Sequence, residues 1–290
     1  MLPVDQPLTD TELRRILDQV LTRDGALVYG ARLFEKLARH GMSALDLLHV
    51  CRHWQVLRST HVEYGEWRYR IEGPNHRREV DGRGAVGSNR SAASGRDHGV
   101  SVCERTEKTM TCPQCGATLP RPEAVRLYHY RESGLDTVYL KDIPTYRCAC
   151  GERVVKIPAV ERVHDAIAAE LLTKSSLLTG PEFRFLRKWA GLTAPELASA
   201  LGVKTRITIS RWENDKAPLT AAADHAMRLL VMRLKEDALN RRLFKHVTVA
   251  EQFRRIAPTA RRFRITIAHK DLNGTMAASP VVRARRAKTA

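Results

Sequence analysis

The chain has 290 residues, with 49 Lys and Arg against 32 Asp and Glu and a formal net charge of +17. No apolar run reaches the roughly 18–20 residues that a membrane-spanning helix requires, and the polar, acidic N-terminus does not resemble a secretory signal. These features argue against a membrane-embedded chain. They predict a cytoplasmic protein built from several small domains.

The positive charge is concentrated near the C-terminus. Residues 239–290 hold 13 Lys and Arg but only 2 Asp and Glu, so eleven of the 17 net charges lie there. We expect a basic tail that attracts nucleic-acid phosphates without selecting a sequence. A solvated tail with no dedicated partner fits the same charge equally well.

Residues 1–73 have the pattern of a small α+β domain. Thr9 and Glu12 form a capping-box pair at the start of an amphipathic helix, and a second helix is expected over about residues 29–40. A third helix follows Ser43, and strand-like runs then cover residues 55–64 and 66–72. Cys51 lies on the apolar face of the third helix, which predicts a core position.

This N-terminal arrangement of helices followed by an Arg- and Tyr-bearing strand weakly resembles small toxin-like domains. The resemblance implies that His40, His61, Arg68 and Arg70 could serve RNA cleavage or RNA binding. An ordinary α+β domain with surface charges is the alternative, because no catalytic motif is present.

Residues 74–110 are rich in Gly, Arg and Ser and lack apolar periodicity, which predicts a flexible linker. Cys103 lies in this irregular stretch and has no expected role. Met110 directly precedes a cysteine motif, where a separate protein could begin. We therefore hypothesise that a truncated upstream domain precedes a complete downstream one, with an ordinary linker as the alternative.

Two close cysteine pairs, Cys112-Pro-Gln-Cys115-Gly and Cys148-Ala-Cys150-Gly, flank a stretch with β-strand patterns. This spacing predicts a zinc-ribbon-like domain over residues 111–172, in which hairpin turns bring four thiolates around one structural Zn²⁺. The Gly after each pair lets the chain turn tightly while backbone N–H groups point at sulfur. Because the second pair is Cys-x-Cys, His129 or an acidic residue could replace one thiolate, although Cys150 is preferred. Reduced structural thiols without a metal are the alternative.

After a short linker at residues 173–180, residues 181–238 predict a four-helix helix-turn-helix domain. Thr193 and Thr220 are candidate caps of its second and fourth helices. In the third helix, expected over about residues 205–214, Ile209 and Trp212 face the core while Thr208, Arg211 and Asp215 share the outer face. A helix with an apolar back and outward polar side chains is typical of DNA recognition. Helix packing without DNA binding is the alternative.

Over about residues 111–235 the motifs CPQCG, DIPTYRCACGE and LTAPELASALGVK…ISRWEND resemble the MqsA-type (YgiT-type zinc-finger/helix-turn-helix) antitoxins. The resemblance implies a zinc domain that binds a cognate toxin and a dimeric domain that represses its operon. The zinc ligands of the family correspond to Cys112, Cys115, Cys148 and Cys150, and its base-reading arginine corresponds to Arg211. An asparagine of the family has no counterpart, since Ile207 lies near its place. Candidate readers in the altered turn and first helical residues are Lys204, Thr205, Arg206 and Thr208.

The sequence thus predicts a multidomain chain, mainly α with small β parts. The expected components are an α+β N-terminal unit, a zinc-ribbon-like β domain, an all-α helix-turn-helix domain and a basic tail. The expected function is a non-enzymatic, homodimeric repressor that binds double-stranded operator DNA and a toxin. The rivals are a free-standing regulator without a toxin, and a fusion with ribonuclease-like activity in residues 1–73.

Overall fold

The computed structural model describes residues 9–22, 26–53, 55–56, 61–63, 66–68, 71–72, 101–103, 110–235 and 256–272. Helices and strands are mixed within these residues, which confirms a combined α and β architecture. The chain divides into two compact units, Met1–Arg126 with Asp142–Glu161, and Leu127–Lys141 with Arg162–Ala290. None of the helices in the ranges described is long and apolar enough to cross a membrane.

The elements follow one another in a mixed order along the chain. Those before residue 110 are α1 (Asp10–Thr22), β1 (Ala26–Gly30), α2 (Ala31–Arg39), α3 (Ala44–Arg52), β2 (Gln55–Val56), β3 (His61–Glu63), β4 (Glu66–Arg68), β5 (Ile71–Glu72) and β6 (Ser101–Cys103). Those after it are β7 (Glu123–Val125), β8 (Tyr128–His129), a 3₁₀ turn (Arg131–Ser133), β9 (Val138–Lys141), β10 (Ile143–Arg147), β11 (Arg153–Pro158), α4 (Val160–Thr173), β12 (Ser176–Leu177), α5 (Gly180–Trp189), α6 (Ala194–Ala200), α7 (Arg206–Glu213), α8 (Ala221–Leu234), β13 (Ala257–Ala260), β14 (Ile265–Ala268) and α9 (His269–Leu272).

The N-terminal helices largely follow the sequence pattern. The backbone N–H of Thr9 donates to a Glu12 carboxylate oxygen at 2.8 Å, and the N–H of Glu12 donates to the Thr9 hydroxyl at 3.4 Å, as expected of a capping box. At the third helix, the N–H of Ser43 donates to Asp46 at 2.7 Å. The strand-like runs form two short antiparallel pairs, β2 with β5 and β3 with β4.

Strand β1 is one of the elements that the sequence pattern did not suggest. The second helix was expected from about Tyr29, but residues 26–30 form a strand and α2 begins after it. Val28 and Tyr29 are consecutive and both buried, so the strand is covered on both faces. The sequence of such a strand lacks period-two alternation. From periodicity alone, a short apolar run of this kind cannot be distinguished from the start of a helix.

The first unit is built around a five-stranded antiparallel sheet in the order β6-β1-β11-β10-β7. Five residues of β1 pair with β11 in a continuous register that runs from Ala26 opposite Pro158 to Gly30 opposite Val154. The sheet is therefore wider than the cysteine segment 111–172 delimited from sequence. Residues 101–103, expected within a flexible linker, form its edge strand β6, and the rest of residues 74–109 lies outside the described ranges.

In the second unit, part of the expected basic tail is ordered. Strand β13 pairs in parallel with β12, and β14 pairs in parallel with β9 to complete a three-stranded sheet in the order β14-β9-β8. The side chains of Ile265 and Ile267 in β14 are buried, and their burial stabilises the strand in this sheet. The remaining tail residues, 239–255 and 273–290, lie outside the described residues.

A buried arginine joins the helices of the second unit. The fully buried guanidinium of Arg228, on α8, donates to Asp224 at 2.8 Å and to the carbonyl oxygens of Leu171, Leu172, Lys174 and Ser176 at 2.8–3.1 Å. Asp224 also accepts from the backbone N–H of Leu178 at 2.8 Å. The segment 173–180, expected as a linker between domains, is thus fastened to α8 and contains β12 and the first residue of α5.

We expect Arg228→Met to lower the free energy of unfolding by roughly 3–5 kcal/mol, because it leaves the buried Asp224 carboxylate and several carbonyl groups without their donor. Urea denaturation followed by far-UV circular dichroism measures the change. The matched control is Arg233→Met in the same helix, since Arg233 is exposed. A loss no larger than that of the control would contradict the assigned role of Arg228.

Candidate metal centre and candidate nucleic-acid interface

Each cysteine pair of the first unit occupies a tight turn. The first turn is closed by a bridge between Thr111 and Thr118 and by a 2.8 Å hydrogen bond from the N–H of Cys112 to the carbonyl of Ala117. The second turn connects β10 to β11 and is closed by a 3.0 Å hydrogen bond from the N–H of Cys148 to the backbone carbonyl oxygen of Glu152. The expected placement of the pairs on hairpin turns is therefore what the structure shows.

Backbone N–H groups point at the sulfur atoms inside these turns. The amides of Gln114 and Cys115 interact with the sulfur of Cys112, and the amide of Cys150 interacts with that of Cys148. Gly116 and Gly151 make this possible, because both have left-handed φ values, 72° and 84°, that glycine adopts without steric cost. Hydrogen bonds of this kind stabilise a thiolate over a thiol.

The four sulfur atoms of Cys112, Cys115, Cys148 and Cys150 lie within 4.8 Å of one another. The closest pairs are Cys112 with Cys150 at 3.7 Å and Cys115 with Cys148 at 3.4 Å. A tetrahedral ion with metal–sulfur distances of about 2.3 Å requires sulfur atoms about 3.8 Å apart, so the cluster has a size that could hold one metal ion. Four protein ligands would complete the tetrahedron and leave no open position.

The fourth position of the cluster is occupied by Cys150 and not by the alternative His129. A ring nitrogen of His129 lies 2.9 Å from the carbonyl oxygen of Asp136, and the other ring nitrogen accepts from Arg131 at 3.1 Å. Among the described residues, no carboxylate belongs to the cysteine cluster. Despite its narrower spacing, the Cys-x-Cys pair therefore places both of its sulfur atoms in the cluster.

The thiols differ in environment. Cys112 is fully buried against Val28, Leu119, Tyr146 and Val154, and this burial raises the pKa of its thiol to about 12. Cys148 is also buried, but the N–H of Cys150 lowers the pKa of the Cys148 thiol to about 7. Cys150 is exposed.

The other two cysteines lie elsewhere. Cys51 is buried in α3, as expected of a core residue. Cys103, expected in an irregular stretch, belongs to β6 and pairs with Ala26 of β1.

Helix α7 is held against the rest of the second unit by its inner side. Ile209 is fully buried, and the Trp212 ring contacts Phe183 of α5 edge to face, with ring centroids 6.0 Å apart. The buried carboxylate of Glu213 accepts two hydrogen bonds from the Arg187 guanidinium, at 2.5 and 3.1 Å. A paired contact of this geometry fixes both the position and the orientation of the helix end.

Residues just after α7 complete this attachment. Arg184 donates to the carbonyl of Glu213 at 3.0 Å and to the side chain of Asn214 at 2.6 Å. Asp215 accepts from the N–H of Gly180 at 2.7 Å, so its expected role on the outer recognition face is replaced by one in fastening α5. A Cβ atom at Gly180 would lie 2.4 Å from the Trp212 carbonyl oxygen, so this close approach requires glycine.

The DNA-contact candidates all lie at the beginning or on the outer side of α7. Lys204, Thr205 and Arg211 are exposed, whereas Arg206 and Thr208 are half-buried. Thr205 is the N-cap residue, and the carbonyl of Thr205 accepts from the N–H of Thr208 at 3.2 Å. The connection from α6 to α7 comprises five residues, 201–205.

Two further exposed side chains join this surface. Ser210 precedes Arg211, and Ile207 has 57% of its surface exposed although it is a large apolar residue. In the described part of the chain, no hydrogen bond or ion pair engages the guanidinium of Arg211. Sequence reasoning did not list Ser210 and Ile207 as contacts, and only the helical spacing of exposed positions could have suggested them.

The N-terminal candidates are only partly brought together. His61 and Arg68 lie opposite each other in the register of β3 and β4. His40 is exposed just after α2, and Arg70 lies outside the described residues.

In comparisons with protein-family models, curated proteins and solved structures, nothing matches this chain. The geometry of the cysteine cluster and of α7 therefore carries the functional argument.

We expect the purified chain to bind one metal ion, because the four cysteine ligands surround a single position. Mass spectrometry of the native protein and elemental analysis should give about one metal ion per protein chain. The metal content per chain should fall in each of four single variants, Cys112→Ser, Cys115→Ser, Cys148→Ser and Cys150→Ser. The control is Cys51→Ala, which removes a buried thiol of the same unit but outside the cluster. Equal metal content in all variants would contradict the assignment.

Metal affinity should also fall as the pH is lowered, because the ion binds thiolates and must displace protons. The raised pKa of Cys112 means that its proton is still bound at pH 7 and must be released, whereas Cys148, with a pKa of about 7, is then about half deprotonated. We expect roughly a tenfold loss of apparent affinity per pH unit for each proton displaced. Titrations with a chelating competitor between pH 6 and 8 measure this slope, and a flat profile would oppose thiolate ligation.

Proposed function

We propose that this chain is a sequence-specific DNA-binding repressor whose helix-turn-helix is formed by α6 and α7 and whose cysteine cluster holds a structural Zn²⁺. The observation that carries the proposal is the two-sided character of α7. Its inner side is fixed by Ile209, Trp212 and Glu213. Its outer side exposes Arg211, and Lys204 and Thr205 are exposed just before its first turn. A rigidly mounted helix with outward polar and basic side chains is what the DNA major groove accepts.

The charges around α7 support this proposal. Between residues 204 and 216 the basic side chains are Lys204, Arg206, Arg211 and Lys216, and the acidic ones are Glu213 and Asp215. Both carboxylates accept hydrogen bonds from groups of α5. Among the described residues, no carboxylate forms an ion pair with the exposed Lys204 or Arg211, so both charges remain available to a polyanionic ligand.

Individual side chains have distinct chemistry at this surface. A bidentate contact from Arg211 to guanine is the commonest specific contact of its type, and exposed Ile207 can pack against a thymine methyl group. Thr205 and Lys204 at the helix start suit phosphate contacts, which fix the register without reading sequence. We propose that Arg206 and Thr208, although half-buried, also contact DNA at the edge of this surface.

A homodimer is part of the proposal, since helix-turn-helix proteins read paired half-sites about one helical turn apart. The exposed side of α8 supports it, because Leu229 and Leu234 have 45% and 49% of their surface exposed. They lie five residues apart, about 140° around the helix axis, so each offers a separate apolar contact that a second copy can bury.

Zinc is the ion proposed for the cysteine cluster because four thiolates in a tetrahedron are a preferred zinc environment. A closed sphere gives the ion a structural role, in which metal binding stabilises the two cysteine turns and the sheet that bears them. We propose no catalytic activity for the chain. The cognate toxin and the antitoxin role come from the sequence resemblance alone and enter the proposal on that basis.

We expect Arg211→Ala to weaken binding to the chain's own promoter by about 1–3 kcal/mol and to relax discrimination at one base position. Electrophoretic mobility shift and footprinting on promoter and unrelated duplexes measure both effects.

The control is Arg39→Ala, which removes one exposed positive charge from the first unit. If Arg211→Ala binds the promoter as tightly and selectively as the parent chain, the proposed reading helix is wrong.

A further inference from the structure

The outer face of the three-stranded sheet in the second unit carries an ordered stack of side chains. Val138, Leu140, Ile265 and Ile267 face inward and are buried. The register places Tyr139 opposite both His129 on β8 and Thr266 on β14, so these three residues share the outer face.

Within this face, the aromatic rings support cationic groups at both ends. His129 and Tyr139 are stacked, with ring centroids 4.7 Å apart and planes 13° from parallel. The guanidinium of Arg264 lies over the Tyr139 ring, 4.0 Å from its centroid. At the other end, Arg131 donates to the ring of His129 at 3.1 Å. The exposed Lys141 lies two residues beyond Tyr139 on the same strand, and therefore on the same face.

The direct contacts of these arginines differ from those of the buried arginines. Arg187 and Arg228 form ion pairs with the buried carboxylates of Glu213 and Asp224. By contrast, Arg264 and Arg131 contact a neutral phenol ring and an imidazole ring. Across the described part of the chain, no carboxylate forms an ion pair with Arg131, Lys141 or Arg264.

The acidic side chain that interacts electrostatically with Arg131 and His129 is that of Glu132. The carboxyl group of Glu132 accepts a short hydrogen bond from the hydroxyl of Tyr128. Burial raises the pKa of that carboxyl group, which disfavours its charged form.

We propose that this face of β14-β9-β8 is a second DNA-contact surface that binds backbone phosphates without reading sequence. The inference rests on the proposed DNA-binding function and adds a phosphate contact outside α7. Stacking on Tyr139 holds the planar guanidinium of Arg264 in place, so little side-chain entropy is lost when it meets a phosphate. Arg261 and Arg262, which precede β14 and are exposed, extend the same positive charge.

The composition of the face favours DNA over an acidic protein. The large apolar side chains that are exposed in the described residues, Leu127, Ile207, Leu229 and Leu234, all lie outside the three strands. Protein–protein interfaces have an apolar core, whereas protein–DNA interfaces are more polar and strongly positive. A basic face without exposed aliphatic side chains on its strands therefore fits phosphate groups.

The test is the salt dependence of DNA binding by the full chain and its Arg131→Ala/Arg264→Ala variant. Each lost phosphate contact should reduce the slope of log affinity against log salt by about 0.9, or roughly five- to tenfold in affinity at 0.1 M salt. We expect the double variant to lose nearly two units of slope and to weaken promoter and unrelated duplexes equally. The matched control is Arg39→Ala/Arg121→Ala, which removes the same charge from exposed positions of the first unit.

Substitution of Tyr139 separates charge from positioning. Tyr139→Phe retains the ring and should bind as the parent does, whereas Tyr139→Leu removes the platform and should weaken binding at unchanged charge. Thermal denaturation identifies any variant that is unfolded. The inference is overturned if the slope is unchanged, if it changes as in the control, or if only the promoter is affected.

Failure of the proposed function gives a different result. If the parent chain shows no preference for its promoter, sequence-specific repression is wrong. The slope on unrelated duplex DNA still decides whether this face binds phosphate.

Discussion

The second unit depends on one buried guanidinium. Arg228 is fully buried, and its N–H groups are directed at Asp224 and at the carbonyl groups that end α4 and lead into β12. Carbonyl groups at a helix end have no partner within the helix, so a buried end needs an external donor. Because that donor comes from α8, α8 is attached to the end of α4, and α7 is attached to α8 through α5. The strand β12 is held in the same way, and it in turn pairs with β13.

Two groups of described arginines in the second unit differ in their partners. Those between helices meet buried carboxylates, as Arg187 meets Glu213, and they set the position of α7. The exposed Arg211 and Arg264 form no ion pair with a carboxylate among the described residues, so their charge is available to an external anion. A charge paired in the interior stabilises by satisfying its partner, and removing either member leaves an unpaired charge. A charge held on an aromatic ring remains attractive to phosphate. The same residue type thus builds the framework and the proposed contact surfaces.

Local patterns predicted those parts of the structure whose determinants are close in sequence. The capping pairs at Thr9 and Thr193, the extent of α7 and the four-cysteine cluster all depend on residues a few positions apart or on a well-defined spacing. Strand β1 and the pairing of β14 with β9 depend on partners more than 120 residues away, and no local period reports them. Asp215 was assigned to an outer face by helical spacing, but helix α7 ends at Glu213. The Asp215 carboxylate instead accepts a hydrogen bond from the N–H of Gly180. The aromatic stack around Tyr139 could be seen only once the strands were placed side by side.

The pairing of β1 with β11 has a consequence for shorter versions of this chain. In the sheet order β6-β1-β11-β10-β7, strand β11 is internal only because β1 covers one side of it. A polypeptide that started at Met110 would leave a six-residue, largely buried strand as an exposed edge next to the second cysteine turn. Edge strands with unpaired backbone groups and apolar side chains associate with other chains unless something protects them. Strand β1 therefore covers an edge that would otherwise be open to association, and during synthesis it can pair with β11 only after both cysteine turns have been made.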